Sequence, residues 1–221
     1  LNQDGLVVVE FPYVGDLVQH LEFDTIYHEH LCYFSLSAVN ALFLSHGLTI
    51  VDVKRVPIHG GSLRITAMRD VDAEGKQLQQ VSDLMLEEEA SGMTSASFYR
   101  EFADQIESLR DELMGLLGEL KSAGKSIAAY GASAKGSTLM NFFGIDNTHV
   151  DFVVDRSDFK QGLLTPGNLL TVYPPSVLVD RQPDYVLLLT WNFKEEILKQ
   201  QQEYRDAGGK FIIPIPSISI V

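Results

Sequence analysis

Apolar runs of strand length alternate with amphipathic stretches of helical spacing along the chain. The opening run GLVVVEFPY, bounded by Gly5 and Pro12, predicts a buried strand. Residues 14–22 predict a short helix. The stretch SLSAVNALFLSHG predicts a second helix, with Ser37 as its N-cap and Gly47 as its terminator.

Two β-branched runs, LTIVDVKRV and SLRITAMR, follow and are separated by PIHGG. Their partial alternation predicts an antiparallel, hairpin-like pair. The two glycines indicate a turn or bulge where the backbone closely approaches another group. A strand, a helix and an antiparallel pair together resemble the back half of a sheet and not a complete domain.

The segment from residue 72 to about residue 124 has a different pattern. LQQVSDLMLEEEA and FYREFADQIESLRDELMGLLGELKSAG have helical periodicity, charged outer faces and no β-branched clusters. They predict two helices, the second one long, with a break near Ser91-Gly92. The simplest interpretation of this segment is a solvated structural connector.

From Lys125 onward, apolar strands alternate with helices. KSIAAYGASAKGSTLMNFFG predicts a strand, a glycine-bearing turn and a helix. HVDFVVD, DYVLLLTW and KFIIPIP predict further strands, and NFKEEILKQQQEYRDAGG predicts a helix before the last of them. Alternating elements with right-handed crossovers favour a parallel, Rossmann-like sheet.

Composition narrows the classes of partner. The formal net charge is −13, without a dense cluster of Lys or Arg, which disfavours nucleic acid or an anionic membrane as a partner. Cys32 is the single cysteine, so an internal disulfide or a multi-cysteine zinc site within this chain is excluded. No stretch has the pattern of a signal peptide or membrane span, so a cytoplasmic location is expected. The start LNQDG, without Met, suggests either a fragment of a longer protein or a processed chain.

The turn GASAKG, Gly131 to Gly136, lies where α/β proteins bind phosphate. It departs from G-x-G-x-x-G, because Ser133 replaces the middle glycine, and from the Walker loop, because Lys135 precedes the last glycine. A nucleotide diphosphate group held by Lys135 and the Ser133 hydroxyl is one interpretation, with Asp155 placed as a ribose-binding acid. A tight structural turn without any ligand is the other.

The stretch YHEH concentrates hydrogen-bonding side chains in an otherwise apolar and aromatic run. A structural role, metal binding by His28 and His30, and acid–base catalysis are the three interpretations. Metal binding lacks a third ligand at recognisable spacing. Acid–base catalysis is favoured because histidine titrates near neutral pH, a carboxylate can orient an imidazole, and a tyrosine can donate to an oxyanion.

Several motifs in one order carry a resemblance to a known family. They are FDTIYHEHLCYFS, PIHGGSLR, AYGASAKGSTLMN, VVDRSDFKQGLLTPG, DYVLLLTWNF and GGKFIIPIP. The chain resembles the sugar C-methyltransferases, which use S-adenosylmethionine to methylate nucleotide-linked deoxysugars.

The resemblance implies an α/β chain with three segments. Residues 1–71 would be the C-terminal portion of a class I methyltransferase sheet, residues 72–124 a helical connector, and residues 125–221 a Rossmann-like parallel-sheet domain. It also implies that the loop binding S-adenosylmethionine lies upstream of this chain, and that zinc belongs to a further N-terminal region. The chain alone is therefore expected to be inactive.

The family's Y-x-E-H signature corresponds to Tyr27, Glu29 and His30, while His28 occupies the variable position. By resemblance, His30 is the base that removes the proton next to the ketone of a nucleotide-diphosphate 4-ketosugar. Tyr27 would stabilise the enolate, and Glu29 would orient or tune the site. The enolate carbon would then attack the methyl group of the donor.

Weaker candidates for substrate binding are His59 in PIHGGS and Lys160 in DFKQG. Trp191 and Phe193 follow a predicted strand, where open α/β sheets bind ligands, but they are equally compatible with a core position. A nicotinamide-dependent oxidoreductase and a non-catalytic nucleotide-sugar-binding module remain as alternatives.

Overall fold

The computed structural model describes residues 1–58 and 60–221. The chain forms two compact units. The first comprises residues 1–22 and 31–104, and the second comprises residues 23–30 and 105–221. The predicted α/β class is confirmed, with a parallel-dominated sheet of six strands in the second unit. The assignment of 1–71, 72–124 and 125–221 to separate domains stays a prediction.

The first unit contains a three-stranded antiparallel sheet in the order β1-β3-β2. Its strands are β1 (Val7–Pro12), β2 (Leu48–Val56) and β3 (Ser62–Arg69), so the predicted antiparallel pair is confirmed. The prediction that the first strand is buried is wrong, because Val8 is 60% exposed. In the part of the chain that the structure describes, β1 pairs with β3, and Val8, Val9 and Glu10 are exposed.

Helices complete the first unit. They are α1 (Val14–Gln19), α2 (Leu36–Leu44), α3 (Gln79–Ala90) and α4 (Ala96–Ser122), the last of which continues into the second unit; short 3-10 turns cover Phe23–Thr25 and Asp70–Asp72. The N-cap of α2 is Ser35, not Ser37 as predicted, since the Ser35 hydroxyl accepts from the Ala38 N–H at 3.1 Å. The Ser37 hydroxyl instead donates to the buried Glu88 carboxylate. The predicted break between the two long helices is confirmed at Gly92, where φ is +78°.

The sheet of the second unit has the order β6-β5-β4-β7-β8-β9. Every pairing is parallel except that of the last strand. Its elements are β4 (Ile127–Tyr130), α5 (Ala134–Phe143), β5 (Phe152–Val154), β6 (Val172–Tyr173), α6 (Val177–Arg181), β7 (Tyr185–Leu188), a 3-10 turn (Trp191–Phe193), α7 (Lys194–Gln200), α8 (Gln202–Asp206), β8 (Lys210–Ile213) and β9 (Ser219–Ile220). The predicted strands are confirmed, and the single helix predicted after β7 is divided at Gln201.

The topology of this sheet marks one edge for ligands. From β4 the chain crosses to β5 on one side, and it later returns as β7 on the other side of β4. Open α/β sheets bind ligands in the crevice outside the carboxyl ends of strands at such a switch point. The turns after β4 and β7 are therefore the place to look for a site. Among the described residues, no helix has the length and apolar character needed to cross a membrane.

Candidate functional site

The Y-H-E-H residues lie in a tight turn within the second unit. The His30 N–H donates to the Tyr27 carbonyl at 3.0 Å, which closes the turn. The geometry considered from sequence, an extended segment with both histidines on one face, is therefore not the one observed. His28 and Glu29 are exposed at the corner of the turn, and Tyr27 and His30 are partly buried.

The Tyr27 and His30 rings contact each other edge to face. Their centroids are 4.9 Å apart at an interplanar angle of 80°. Burial raises the pKa of the Tyr27 hydroxyl, and the negative charges of Glu29 and Asp24 raise it further. Tyr27 therefore keeps its proton at neutral pH and can donate a hydrogen bond beside the imidazole.

Asp24, which was not among the residues predicted from the sequence, lies close enough to affect the charge around Tyr27. It is completely buried, and its Oδ2 accepts a hydrogen bond from the Trp191 indole N–H at 2.8 Å. Its Oδ1 lies 4.0 Å from the Lys135 ammonium, which in turn lies 4.6 Å from the centre of the Trp191 ring. Burial raises the pKa of Asp24, while Lys135 and the Trp191 hydrogen bond oppose that rise. No motif or spacing in the sequence links Asp24 to Trp191 or Lys135.

The neighbouring Phe23 attaches the same 3-10 turn to α5. Its ring stacks on Phe143 with centroids 4.8 Å apart and contacts Phe142 at 5.6 Å. Lys135 lies in the first turn of α5, and Trp191 follows β7. The turns after β4 and β7 thus meet the segment that carries Tyr27 and His30.

The glycines of GASAKG have structural reasons to be there. Gly131 has φ of +103°, and a Cβ at this position would lie 2.6 Å from Thr190 Cγ2. A Cβ at Gly136 would lie 2.8 Å from the Gly131 carbonyl oxygen. The Ser133 hydroxyl caps α5 by accepting from the Gly136 N–H at 3.0 Å. A tight turn explains these residues, and phosphate binding by Gly131, Ser133, Lys135 and Gly136 stays a prediction.

Asp155 lies directly after β5, as expected for a residue at this edge. Its carboxylate accepts from the Ser157 N–H at 2.8 Å and pairs with the Lys160 ammonium at 3.4 Å. A cavity of about 240 Å³ lies beside it. Its walls include Gly131, Asp155 and Phe193, which belong to the turns after β4, β5 and β7. The binding role predicted for Lys160 is untested, but its ammonium lies at the same edge of the sheet as these residues.

The predicted site residue His59 lies outside the described residues. The glycines after it do make the close approach that their pattern indicates. A side chain at Gly60 would collide with the Glu22 carboxylate, and one at Gly61 would collide with that of Asp16. Burial raises the pKa of Asp16 despite the opposing charge of Arg55.

The residues present do not fit the methyl donor. The described strands of the first unit pair only antiparallel, and none of them leads through a glycine-rich turn into a helix N-terminus. No residue of this chain is therefore assigned to S-adenosylmethionine. Within residues 1–58 and 60–221, no group of three or more His, Cys, Asp or Glu is arranged to hold a metal ion.

Comparison with known proteins supports the resemblance seen in the sequence. Residues 57–216 match the family model of the C-methyltransferase C-terminal domain. The C-methyltransferase NovU of Streptomyces niveus is 38% identical over 221 residues, which are 100% of this chain and 52% of NovU. The chain thus spans about half the length of this curated relative. Because the matched region covers most of the chain, the chain belongs to the sugar C-methyltransferase family and corresponds to its C-terminal part.

Proposed function

We propose that the full-length protein C-methylates a nucleotide-diphosphate 4-ketosugar with S-adenosylmethionine as methyl donor. The contact between the Tyr27 and His30 rings is the observation that carries this proposal. A base and a protonated hydroxyl side by side are the two groups that enolate formation next to a ketone requires. The donor supplies an electrophilic methyl group, and this chain supplies the groups that prepare the nucleophile.

His30 is the proposed base. Its imidazole removes the proton from the carbon next to the sugar ketone, and the electron pair moves onto the ketone oxygen. The Tyr27 hydroxyl donates to that oxygen, where negative charge develops. Its raised pKa keeps it a donor throughout the working pH range. Glu29, exposed beside the pair, tunes the site through its charge on Tyr27.

The substrate's diphosphate is proposed to lie at the turn after β4. The first turn of α5 supplies backbone N–H groups and a favourable helix dipole, and the Lys135 ammonium supplies a positive charge close by. Gly131, Ser133 and Gly136 shape this turn, and Lys160 lies at the same edge of the sheet. His59 keeps its proposed role as a further substrate contact. The adjacent cavity provides space for the nucleoside.

Deuterium exchange tests the base. Full-length protein is incubated in heavy water with a nucleotide-linked 4-ketosugar and S-adenosylhomocysteine, so that no methyl group is available. We expect mass gain at the carbon next to the ketone with wild type and none above background with His30→Ala. The matched control is His28→Ala, which removes an exposed histidine from the same turn and should exchange like wild type.

Each result of the exchange experiment has a different meaning. Exchange that persists in His30→Ala would place the base elsewhere, with His59 the next residue to test. An inert wild type would overturn the assignment of a 4-ketosugar substrate. Loss of exchange in both histidine variants would show that the whole turn, and not the His30 imidazole, is required.

A further inference from the structure

Residues 23–30 are a short segment that belongs to the second unit. The residues before and after them, 1–22 and 31–104, belong to the first unit. Two kinds of contact hold this segment in place. Phe23 packs on the α5 aromatics, and Asp24 accepts from Trp191, a residue 167 positions away in sequence.

These two contacts differ in what they can fix. Phe23 holds the segment against α5 mainly by burying apolar surface, which is non-directional, although ring pairs also have preferred geometries. The hydrogen bond from the Trp191 indole fixes one carboxylate oxygen at 2.8 Å along a defined direction. Asp24 is therefore the polar contact that fixes one point of the segment.

The position of Asp24 is transmitted to His30 through backbone hydrogen bonds. The Ile26 N–H donates to the Phe23 carbonyl at 2.9 Å, and the Tyr27 N–H donates to the Thr25 carbonyl at 3.0 Å. The His30 N–H then donates to the Tyr27 carbonyl at 3.0 Å. Successive tight turns leave little freedom between the carboxylate and the imidazole.

Fold stability does not explain this contact. Asp24 is 0% exposed, yet its Oδ1 accepts no hydrogen bond from the residues that the structure describes, and the Lys135 ammonium lies 4.0 Å from it, beyond hydrogen-bond distance. A buried carboxylate with one unsatisfied oxygen is an unfavourable choice, and an apolar side chain of similar size often stabilises a core better. A residue that costs stability at this place is expected to serve another purpose.

We propose that Asp24 and Trp191 are positioning residues for the Tyr27–His30 pair, anchoring its turn to the carboxyl edge of the β4–β7 strands. This inference rests on the proposed role of His30. Neither side chain needs to touch the substrate. Each acts through the turn, and a shift of about 1 Å at the base is enough to cost about a hundredfold in rate.

The experiment measures deuterium exchange and steady-state methylation in the full-length protein for five variants. Asp24→Ala removes the acceptor, Trp191→Phe removes the donor but keeps a ring, and a double variant removes both. Asp24→Asn keeps an acceptor for the indole without the charge. Asp158→Asn removes an exposed carboxylate of the same unit and is the matched control.

We expect Asp24→Ala and Trp191→Phe each to lower kcat and the exchange rate by ten- to a hundredfold, with KM changed less than threefold. The double variant should be no slower than the slower single variant, because both remove one anchor. Asp24→Asn should recover most of the rate, which loss of general structure would not allow.

Additive effects of the two single variants, or wild-type exchange in Asp24→Ala, would overturn the inference. So would a loss that appears mainly in KM. If His30→Ala keeps wild-type exchange while Asp24→Ala loses it, the assignment of the base fails instead. The two failures are therefore distinguishable.

Discussion

Replacing Asp24 by Asn should leave the second unit at least as stable as wild type at pH 7, and this prediction isolates the cost of the buried charge. The raised pKa means that the folded protein binds the Asp24 proton more tightly than the unfolded chain does. The ionised carboxylate therefore costs stability at neutral pH. That cost disappears as the pH falls below the unfolded pKa of about 3.9, and the Asn variant imitates the protonated form throughout.

The expected size follows from opposing contributions. The Lys135 ammonium at 4.0 Å offers an attraction of roughly 4 kcal/mol at an effective dielectric constant of about 20. Removing a carboxylate from water costs several kcal/mol, and the direction of the pKa shift shows that burial exceeds the favourable contributions. Since Asn keeps the Trp191 hydrogen bond, we expect a net gain on the order of 1 kcal/mol at pH 7 and convergence with wild type near pH 4.

The assay is chemical denaturation followed by tryptophan fluorescence at several pH values. Trp191 is the only tryptophan in the chain, so its emission reports the unfolding of the unit that contains Asp24. Asp158→Asn controls for the loss of one negative charge at an exposed site. If Asp24→Asn is less stable than wild type at pH 7, the pairing with Lys135 outweighs burial and the reasoning is refuted.

Three further predictions concern groups outside the anchor. Glu88→Ala should lower the free energy of unfolding of the first unit by about 3 kcal/mol, because the Glu88 carboxylate accepts from two backbone N–H groups and the Ser37 hydroxyl. Thermal unfolding followed by circular dichroism tests this, and a variant that melts like wild type would contradict it. The hydrogen bond from Lys125 is the main cause that lowers the pKa of Asp184 to about 2. The ionised Asp184 therefore stabilises the fold above about pH 4, and this stabilisation is lost as the pH falls through about 2. Because this ion pair is partly exposed to solvent, Asp184→Asn should lower the free energy of unfolding by only about 1 kcal/mol at pH 7 and not at all below pH 2. A loss of stability that does not depend on pH would contradict this prediction. Gly136→Ala should lower the midpoint of the Trp191 transition, since the added methyl group meets backbone at 2.8 Å, whereas an unchanged midpoint would show that the turn relaxes freely.

Much of the second unit could be predicted from sequence because its central strands are short, buried apolar runs. The residues of β4 and of β5 are all buried, and each run is followed by a clear turn or helix pattern. Strands of two residues, such as β6 and β9, are too short to show any period. The exposure of β1 was mispredicted for a different reason. Its apolar content is that of a buried strand, but the strand with which it pairs, β3, lies more than fifty residues later.

The site shows the same division between local and long-range information. Tyr27 and His30 were predicted from their motif, and the structure places their rings in contact. Asp24 was missed because a single acidic residue in an aromatic run carries no signal until its partner is known. That partner, Trp191, follows a predicted strand where α/β sheets bind ligands and is equally compatible with a core position, and no spacing rule connects two residues 167 positions apart.

Under these proposals, the carboxyl ends of strands β4 and β7 both anchor the turn of His30 and bind the substrate phosphate. Variants of different residues at this edge should affect the two roles separately. Trp191 contributes only to anchoring, so its variant should lose kcat and keep KM. Lys135 lies 4.0 Å from Asp24 and is also the proposed phosphate partner, so Lys135→Met should lower kcat and raise KM together. A substrate phosphate bound to Lys135 would lie beside Asp24 and Trp191, the residues proposed to position His30. Substrate binding and the placement of the base would therefore be coupled. A Lys135→Met enzyme that changes KM alone would show that Asp24 holds the turn through Trp191 without help from the ion pair.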